Sequence, residues 1–471
     1  MLLEIVRSGL LRCHQAAVRL PTAVLFASLL ALAASPTSAI AKQVEVGPGK
    51  AIHNPSAVPW STLQPGDEVV IFPGSYADPL IITSQGNAGQ PIVVRGEGNV
   101  VINNSVVMEG AAHVVVRGLA IRNARHSGFI LRRGANYVTI RDSSVANSGL
   151  GIWIGDGSLG RHQLLNNDLW ENRTHGIAID VINLEAGEET LISGNTISRN
   201  VMHGIEINGN RYIVERNVVR DNGTGLSGTS GIHVFAKSPK QGTGLYNVIR
   251  YNITSGQKET TGQDGNGIQL DQWCDYNQVY FNISMDNDGA GIVLFDAANN
   301  LVANNTLVGN MIDRGKRHAY KADLVIASDY TKNVDHAYGN TIVNNLVYTT
   351  RLGVRPVYVD RFGASRMKMF GNNILFRESS SGPLFFWAGT SGSDIEAWNK
   401  LKPGPPDFGA DPQLTDVARA KADVTAWRGL IPRVGSYAAS SGIGTGLEIQ
   451  SDMTGAILTP WPIGAFAGAR P

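Results

Sequence analysis

From Gly128 onward the chain alternates apolar and polar positions in short bursts, each opened by glycine. The bursts read GFIL, GIWI, GIAI, GIEI, GIHV, GIQL and GIVL, starting at Gly128, Gly151, Gly176, Gly204, Gly231, Gly267 and Gly291. Intervals of 23, 25, 28, 27, 36 and 24 residues separate them. A period of two marks a strand with one buried face. Between bursts lies a second short strand opening on Asn, as in NDLW, NTIS, NVVR, NITS, NISM and NTLV. Another Asn often follows five residues later, giving the pairs Asn167/Asn172, Asn195/Asn200, Asn217/Asn222, Asn282/Asn287 and Asn305/Asn310.

Short strands repeating every twenty-odd residues predict a solenoid. Heptads and helical periodicity are missing, and the intervals vary too much for propeller blades of about 40–45 residues. A parallel β-helix remains, with coils ~4.8 Å apart. Its apolar alternate residues fill the interior. The recurrent Asn side chains are expected to bond from coil to coil, at turns that need left-handed backbone geometry.

Three further stretches support a family resemblance. They are LQPGDEVVIFPGSYADPLIITSQGNAGQPIVVRGEG (63–98), FGADPQLTD (408–416) and the closing PIGAF (462–466). With the Gly-Ile and Asn coils, they resemble the pectate-lyase-like superfamily of secreted right-handed parallel β-helix repeat proteins, over roughly residues 43–467. The resemblance implies an all-β fold, a right-handed parallel β-helix solenoid with a short C-terminal capping region. That fold hosts lyases, hydrolases, epimerases and binding proteins, so it does not choose a reaction.

The expected organisation is a signal peptide over 1–41 and one β-helix domain over 42–471. The domain divides into N-terminal coils (42–110), central repeat coils (111–375) and a C-terminal coil with cap (376–471). Arg7, Arg12 and Arg19 precede the apolar AVLFASLLALAA, and SPTSAIA supplies small residues for cleavage after Ala41. The apolar run is shorter than the ~20 residues that span a bilayer. The mature chain is therefore expected to be secreted or periplasmic, without a membrane span, and monomeric. SDIEAWNKL (393–401) reads as a short helix capped by Ser393 or Asp394, and 311–335 as an excursion that breaks the period.

Composition narrows the picture further. Loss of the leader removes Cys13 and leaves Cys274 alone, so no internal disulfide is expected. Basic and acidic residues nearly balance, which gives no support for nucleic-acid binding.

If the residue after each Gly points inward, the second and fourth after it point outward. The second positions are Ile130, Trp153, Ala178, Glu206, His233, Gln269 and Val293. The fourth are Arg132, Gly155, Asp180, Asn208, Phe235, Asp271 and Phe295. Asp180, Glu206, Asn208, His233, Gln269 and Asp271 then share one sheet face within about 15 Å, three ~4.8 Å steps. Trp153 and Phe235 offer flat surfaces for a sugar ring, and Arg132 belongs to the same row. The longest interval contains the loops AKSPKQGTG and GQKETTGQDGN, which would wall a cleft and bring Lys237, Lys240 and Lys258 near it. Glu215, Arg216 and Arg220 fall on another strand and read as a solvated face. His175 and His203, each before a Gly, read as a stacked ladder, with a metal site sharing Asp180 or Glu206 as the alternative.

A carbohydrate site follows from this cluster, and the expected partner is an acidic polysaccharide. β-Elimination on a uronate chain needs carboxylate neutralisation, a base for the C5 proton and an acid for the leaving oxygen. The resemblance implies Ca²⁺ for the first task, with Asp180, Glu206 and Asp271 as its candidate ligands. His233 or Lys237 would be the base, and the catalytic set is His233, Lys237, Glu206 and Asp271. Asp180, Asn208, Gln269, Trp153, Phe235 and Arg132 would bind substrate. The clustered Asp residues of calcium-dependent pectate lyases and the Asp-Pro-His-Asp motif of alginate epimerases are both missing. A glycoside hydrolase would instead use a carboxylate pair such as Asp180 and Glu206, or Glu206 and Asp271. Lyase chemistry is placed ahead of hydrolysis, C5-epimerisation and non-catalytic binding.

Overall fold

A computed structural model describes residues 41–225, 228–260, 262, 264–312, 319–329 and 335–468. The chain winds into three long sheets of 13, 13 and 12 strands, each coil giving one strand to each sheet. Pairing is parallel except at Phe385–Trp387 with Thr390–Gly392, which closes one sheet antiparallel. One sheet carries the Gly-aliphatic strands, from Ser127–Arg132 through Ile177–Ile182, Ile205–Gly209, Ser230–Val234 and Asn266–Leu270 to Ile292–Phe295. Register along it is one to one: Ala178 faces Glu206, Glu206 faces His233, and His233 faces Gln269.

The residue after each Gly points inward as expected: Phe129, Ile152, Ile177, Ile205, Ile232, Ile268 and Ile292 are all 0% exposed. The glycines are required by close packing. A Cβ on Gly204 would lie 2.3 Å from Val219 Cγ1 and 2.7 Å from the Gly231 carbonyl oxygen.

Three columns of buried amides run down the corners of the coil, one of them Asn247, Asn277, Asn300 and Asn340. Asn217 donates its backbone N–H and its Nδ2 to Asn252 Oδ1 at 3.1 and 3.0 Å, and also donates from Nδ2 to the Ile192 carbonyl at 2.9 Å. Its own Oδ1 accepts two hydrogen bonds from Asn195. Asn222 does the same in the second column, where Gln257 replaces Asn in the next coil. Each bond nets only about 1 kcal/mol, but a buried amide left unpaired costs about 1–3. The left-handed residue is not the ladder Asn but its predecessor, for example Arg216 (φ 56), Tyr251 (φ 57), Phe281 (φ 53) and Asp221 (φ 57). The turn itself thus needs no Asn. The amide is there for its hydrogen bonds.

The stretch 311–335 is not wholly an excursion. Ala322–Ala327 is the next strand of the Gly-aliphatic sheet, pairing with Ile292–Phe295; residues 313–318 and 330–334 lie outside the described residues. The helix expected at 393–401 forms over Ile395–Asn399, capped by the Asp394 carboxylate. Its Trp398 is fully buried against Phe370, Phe385 and Trp387 and plugs the end of the core. Beyond it the chain also runs back along the coils. Asn304 Nδ2 donates to the Pro462 carbonyl and Tyr251 Oη to the Ser451 carbonyl. Among the described residues no helix is long and apolar enough to cross a membrane. The leader expected over 1–41 lies, Ala41 apart, outside them.

Candidate active site

Three successive coils of the Gly-aliphatic sheet bring Glu206, His233 and Asp271 together. His233 Nε2 lies 3.3 Å from Asp271 Oδ2, and His233 Nδ1 lies 3.9 Å from Glu206 Oε2. The second distance is too long for a hydrogen bond, so that contact is charge–charge attraction. Burial alone would push the His233 pKa down, but the Asp271 and Glu206 carboxylates outweigh it and raise it to about 9. His233 is thus an imidazolium at neutral pH, set between two carboxylates.

Both faces of that ring are covered. It stacks on His203 at 4.3 Å between centroids and on Phe235 at 5.3 Å, and His203 stacks in turn on His175 at 5.4 Å. The side chain is 11% exposed, against 21% for Glu206 and 26% for Asp271. The carboxylates are therefore the more open to a substrate. Burial pushes Glu206 up, but His233, His175 and Lys237 together hold it below the usual carboxylate value.

His203 is set by the backbone of the next coil. The Ser230 N–H donates to His203 Nδ1 at 2.9 Å. Burial, aided by the charges of His233 and His175, keeps His203 well below the usual imidazole pKa. The single ring proton then sits on Nε2, 3.2 Å from Glu206 Oε2. This bears on metal binding. His175, His203 and Glu206 offer ligand atoms within 4.8 Å of one another. A histidine that binds a metal ordinarily donates from its other nitrogen, whereas His203 Nδ1 accepts, so Nε2 has no lone pair to offer. The trio does not fit a metal ion while the Ser230 bond stands.

The calcium set fits no better. Glu206 and Asp271 stand on opposite sides of an imidazolium. Asp180 is exposed, beside a bulge where Val181 takes φ 52. Three carboxylates so divided do not supply the six to eight converging oxygens that calcium takes.

Beside Asp271 a cleft of about 270 Å³ opens. Its polar end is made by Asp264, Asn266, Gln269, Asp271 and Gln272, its apolar end by Val293, Phe295, Met311, Tyr320 and Val325. Gln269 accepts from Ser230 Oγ at 2.6 Å and Asn266 Nδ2 at 2.9 Å, so it is fixed in place. AKSPKQGTG does not line the cleft, whereas GQKETTGQDGN reaches it with Asn266 and Asp264. Burial, with the charges of Asp271 and Glu259, raises the Asp264 pKa to about 6 against the opposing His233.

The remaining expected site residues lie apart. Lys237 is exposed and acts on Glu206 through its charge. Trp153 is half-buried over Gly155, two coils from Glu206 with Ala178 between. Phe235 gives one face to His233 and is not a bare platform. Asn208 is 1% exposed, with neither side-chain atom bonded. Arg132 is tied to Glu109 at 2.8 Å, outside the group. Glu215 pairs with Arg250, and the Arg216 guanidinium lies over Tyr251. Asp264, Asn266 and Tyr320 escaped the sequence reading. They sit outside the Gly-aliphatic alternation, and the signal for Asp264 was only its place in a loop inserted just before a burst.

The family model for the right handed beta helix region matches residues 104–262 and 184–347. No curated protein matches the sequence. Among solved structures, the chain is similar to the A-module of the Azotobacter vinelandii mannuronan C-5 epimerase AlgE6, at 15% identity and TM-score 0.47, covering 74% of this chain and 92% of that one. It is similar to a mannuronic acid specific polysaccharide family 6 lyase from human gut microbiota, at 16% identity and TM-score 0.44, covering 82% and 94%. It is also similar to the pectate lyase Pel9A, at 13% identity and TM-score 0.41, covering 91% and 97%.

Proposed function

This chain belongs to the right-handed β-helix family, and we propose that it is a carbohydrate-active enzyme that cleaves a glycosidic bond of a polysaccharide by hydrolysis with a carboxylate pair. The observation that carries the reading is the placement of Asp264 and Asp271 on the wall of one cleft in opposite settings. Asp271 is paired with the His233 imidazolium. Asp264, raised to about 6, keeps its proton at mildly acidic pH. Two carboxyl groups in such different settings divide the work of glycoside cleavage.

In this scheme Asp264 protonates the leaving oxygen while the Asp271 carboxylate activates water or attacks the anomeric carbon. His233 touches no substrate. It is a positioning residue that holds Asp271 and Glu206, and the Ser230–His203 contact fixes its stacking partner. Glu206 lies beyond the ring and is suited to bonding sugar hydroxyls.

A second reading, β-elimination on a uronate chain, is favoured by one observation. Lys237 acts on Glu206 through its charge, so an ammonium is at hand for a uronate carboxylate. The Asp271 carboxylate on the cleft wall counts against it, since a uronate placed there meets like charge. The test is to incubate the protein with a panel of neutral and uronate polysaccharides, following reducing ends and the ultraviolet absorbance of unsaturated uronate together. Reducing ends without absorbance support hydrolysis. Absorbance would overturn it in favour of the lyase.

A further inference from the structure

His233, Gln269, Val293, Val325, Tyr358 and Phe386 face one another in a single unbroken register down the sheet. Their chemistry changes in one step. Gln269 is the last polar side chain, and Val293 and Val325 are 6% and 0% exposed on the same outward row. The apolar run continues beyond them, for Tyr320 tilts against Tyr358 at 4.9 Å and Tyr358 stacks on Phe386 at 4.5 Å. The cleft straddles the step, with Asp264 and Asp271 at one end and Val293, Phe295, Met311, Tyr320 and Val325 at the other.

Adjacent coils are ~4.8 Å apart, comparable to the advance of one sugar unit along a glycan. A chain lying on the sheet with its cleaved bond at Asp271 therefore sets the next sugar over Val293 and Phe295. At about 270 Å³ the cleft is at the small end of ligand sites and holds one such unit. A hydroxymethyl group pressed on this floor would lose its hydrogen bonds to water without replacement, and a carboxylate would lose far more. A methyl group loses nothing there and gains burial.

We infer that this apolar end is a subsite for a 6-deoxyhexose, the sugar on the C-terminal side of the cleaved bond, turned so that its methyl group meets Val293 and Phe295. The position of the cleaved bond rests on the function proposed above, but the preference for the methyl group does not. The substrate is accordingly a heteropolysaccharide, with a hydroxyl-rich sugar against Glu206 and a deoxy sugar beyond Asp271.

Binding tests this without turnover. Methyl glycosides of L-rhamnose and L-fucose are compared with those of their 6-hydroxylated parents, L-mannose and L-galactose, by saturation-transfer NMR and titration on the whole mature chain. The 6-deoxy sugars are expected to bind about tenfold tighter or more, with their methyl protons the most strongly saturated. Val293→Thr keeps the side-chain shape, and its circular dichroism shows whether the fold is kept; it is expected to reduce the preference severalfold. Equal or tighter binding of the parent hexoses, or no binding by either, would overturn the subsite. So would tighter binding of a 6-O-acetylated hexose. A deoxy preference in a protein that hydrolyses no polysaccharide would sink the proposed reaction and leave the subsite standing.

Discussion

The Nε2 atom of His233 lies 3.3 Å from Oδ2 of Asp271, across one step of the coil, with the imidazole ring closed between His203 and Phe235. A ring so enclosed cannot swing out to take a proton from a substrate. It acts on the reaction through the carboxylate it holds. Four predictions follow from that division of roles and from the ladders beneath it.

Asp271→Asn removes the carboxylate and its hold on His233 together. Turnover is expected to fall roughly 10²–10⁴-fold, the usual worth of an acid–base group, with glycan binding within a few-fold of wild type. The His233 resonance, followed by NMR across pH, is expected to titrate below about 9. An unshifted titration would mean that Asp271 does not charge the ring.

His233 also links stability to pH. Its folded pKa of about 9 lies above the ordinary imidazole value near 6.5, so its contribution is complete below about pH 6.5 and is lost as pH rises to about 9. The expected loss is roughly 3 kcal/mol. Urea unfolding at pH 6 and pH 9.5 measures it, and His233→Gln is expected to flatten the difference.

Asp323 has the opposite sign. It is fully buried at the end of the second ladder, accepting from the Asn310 N–H and from Thr349, and burial raises its pKa to about 6. A raised carboxyl favours the folded state at low pH, and this advantage is lost between about pH 4 and pH 6. Asp323→Asn keeps the Asn310 contact, reverses the Thr349 contact so that the amide donates to the hydroxyl, and never ionises. It is expected to raise stability by about 1–3 kcal/mol at pH 7.5 and to change nothing at pH 4, read by thermal unfolding at both.

Asn217→Ala strands the ladder donors and acceptors above and below it, in Asn195, Asn252 and the Ile192 carbonyl. Destabilisation of about 2–4 kcal/mol is expected from several unpaired buried groups, measured by the urea midpoint. Glu215→Ala, at a partly exposed ion pair with Arg250, is expected to cost under about 1 kcal/mol.

The fold was legible because a solenoid writes its geometry into the sequence at each turn. Gly204 marks a close approach to Val219 and Gly231, and Ile205 marks the interior. The outward register of Glu206, His233 and Gln269 followed from the same alternation. What did not follow was contact along the stack. The His175–His203–His233 stack and the Ser230–His203 hydrogen bond join residues 27 or more positions apart, so sequence offered His233 as a base where the surroundings make it an imidazolium. Arg132 kept its place in the row, but Glu109, 23 residues earlier, claims its charge. Asp264 was hidden because its loop carries no period.

The central claim is tested most directly by assaying the wild-type chain, Asp264→Asn and Asp271→Asn on one polysaccharide that the wild type degrades, scoring reducing ends and unsaturated products together. Saturated products, with loss of roughly 10²-fold or more in both variants, are the expected result. Unsaturated products, or undiminished turnover in either variant, would contradict the carboxylate-pair account.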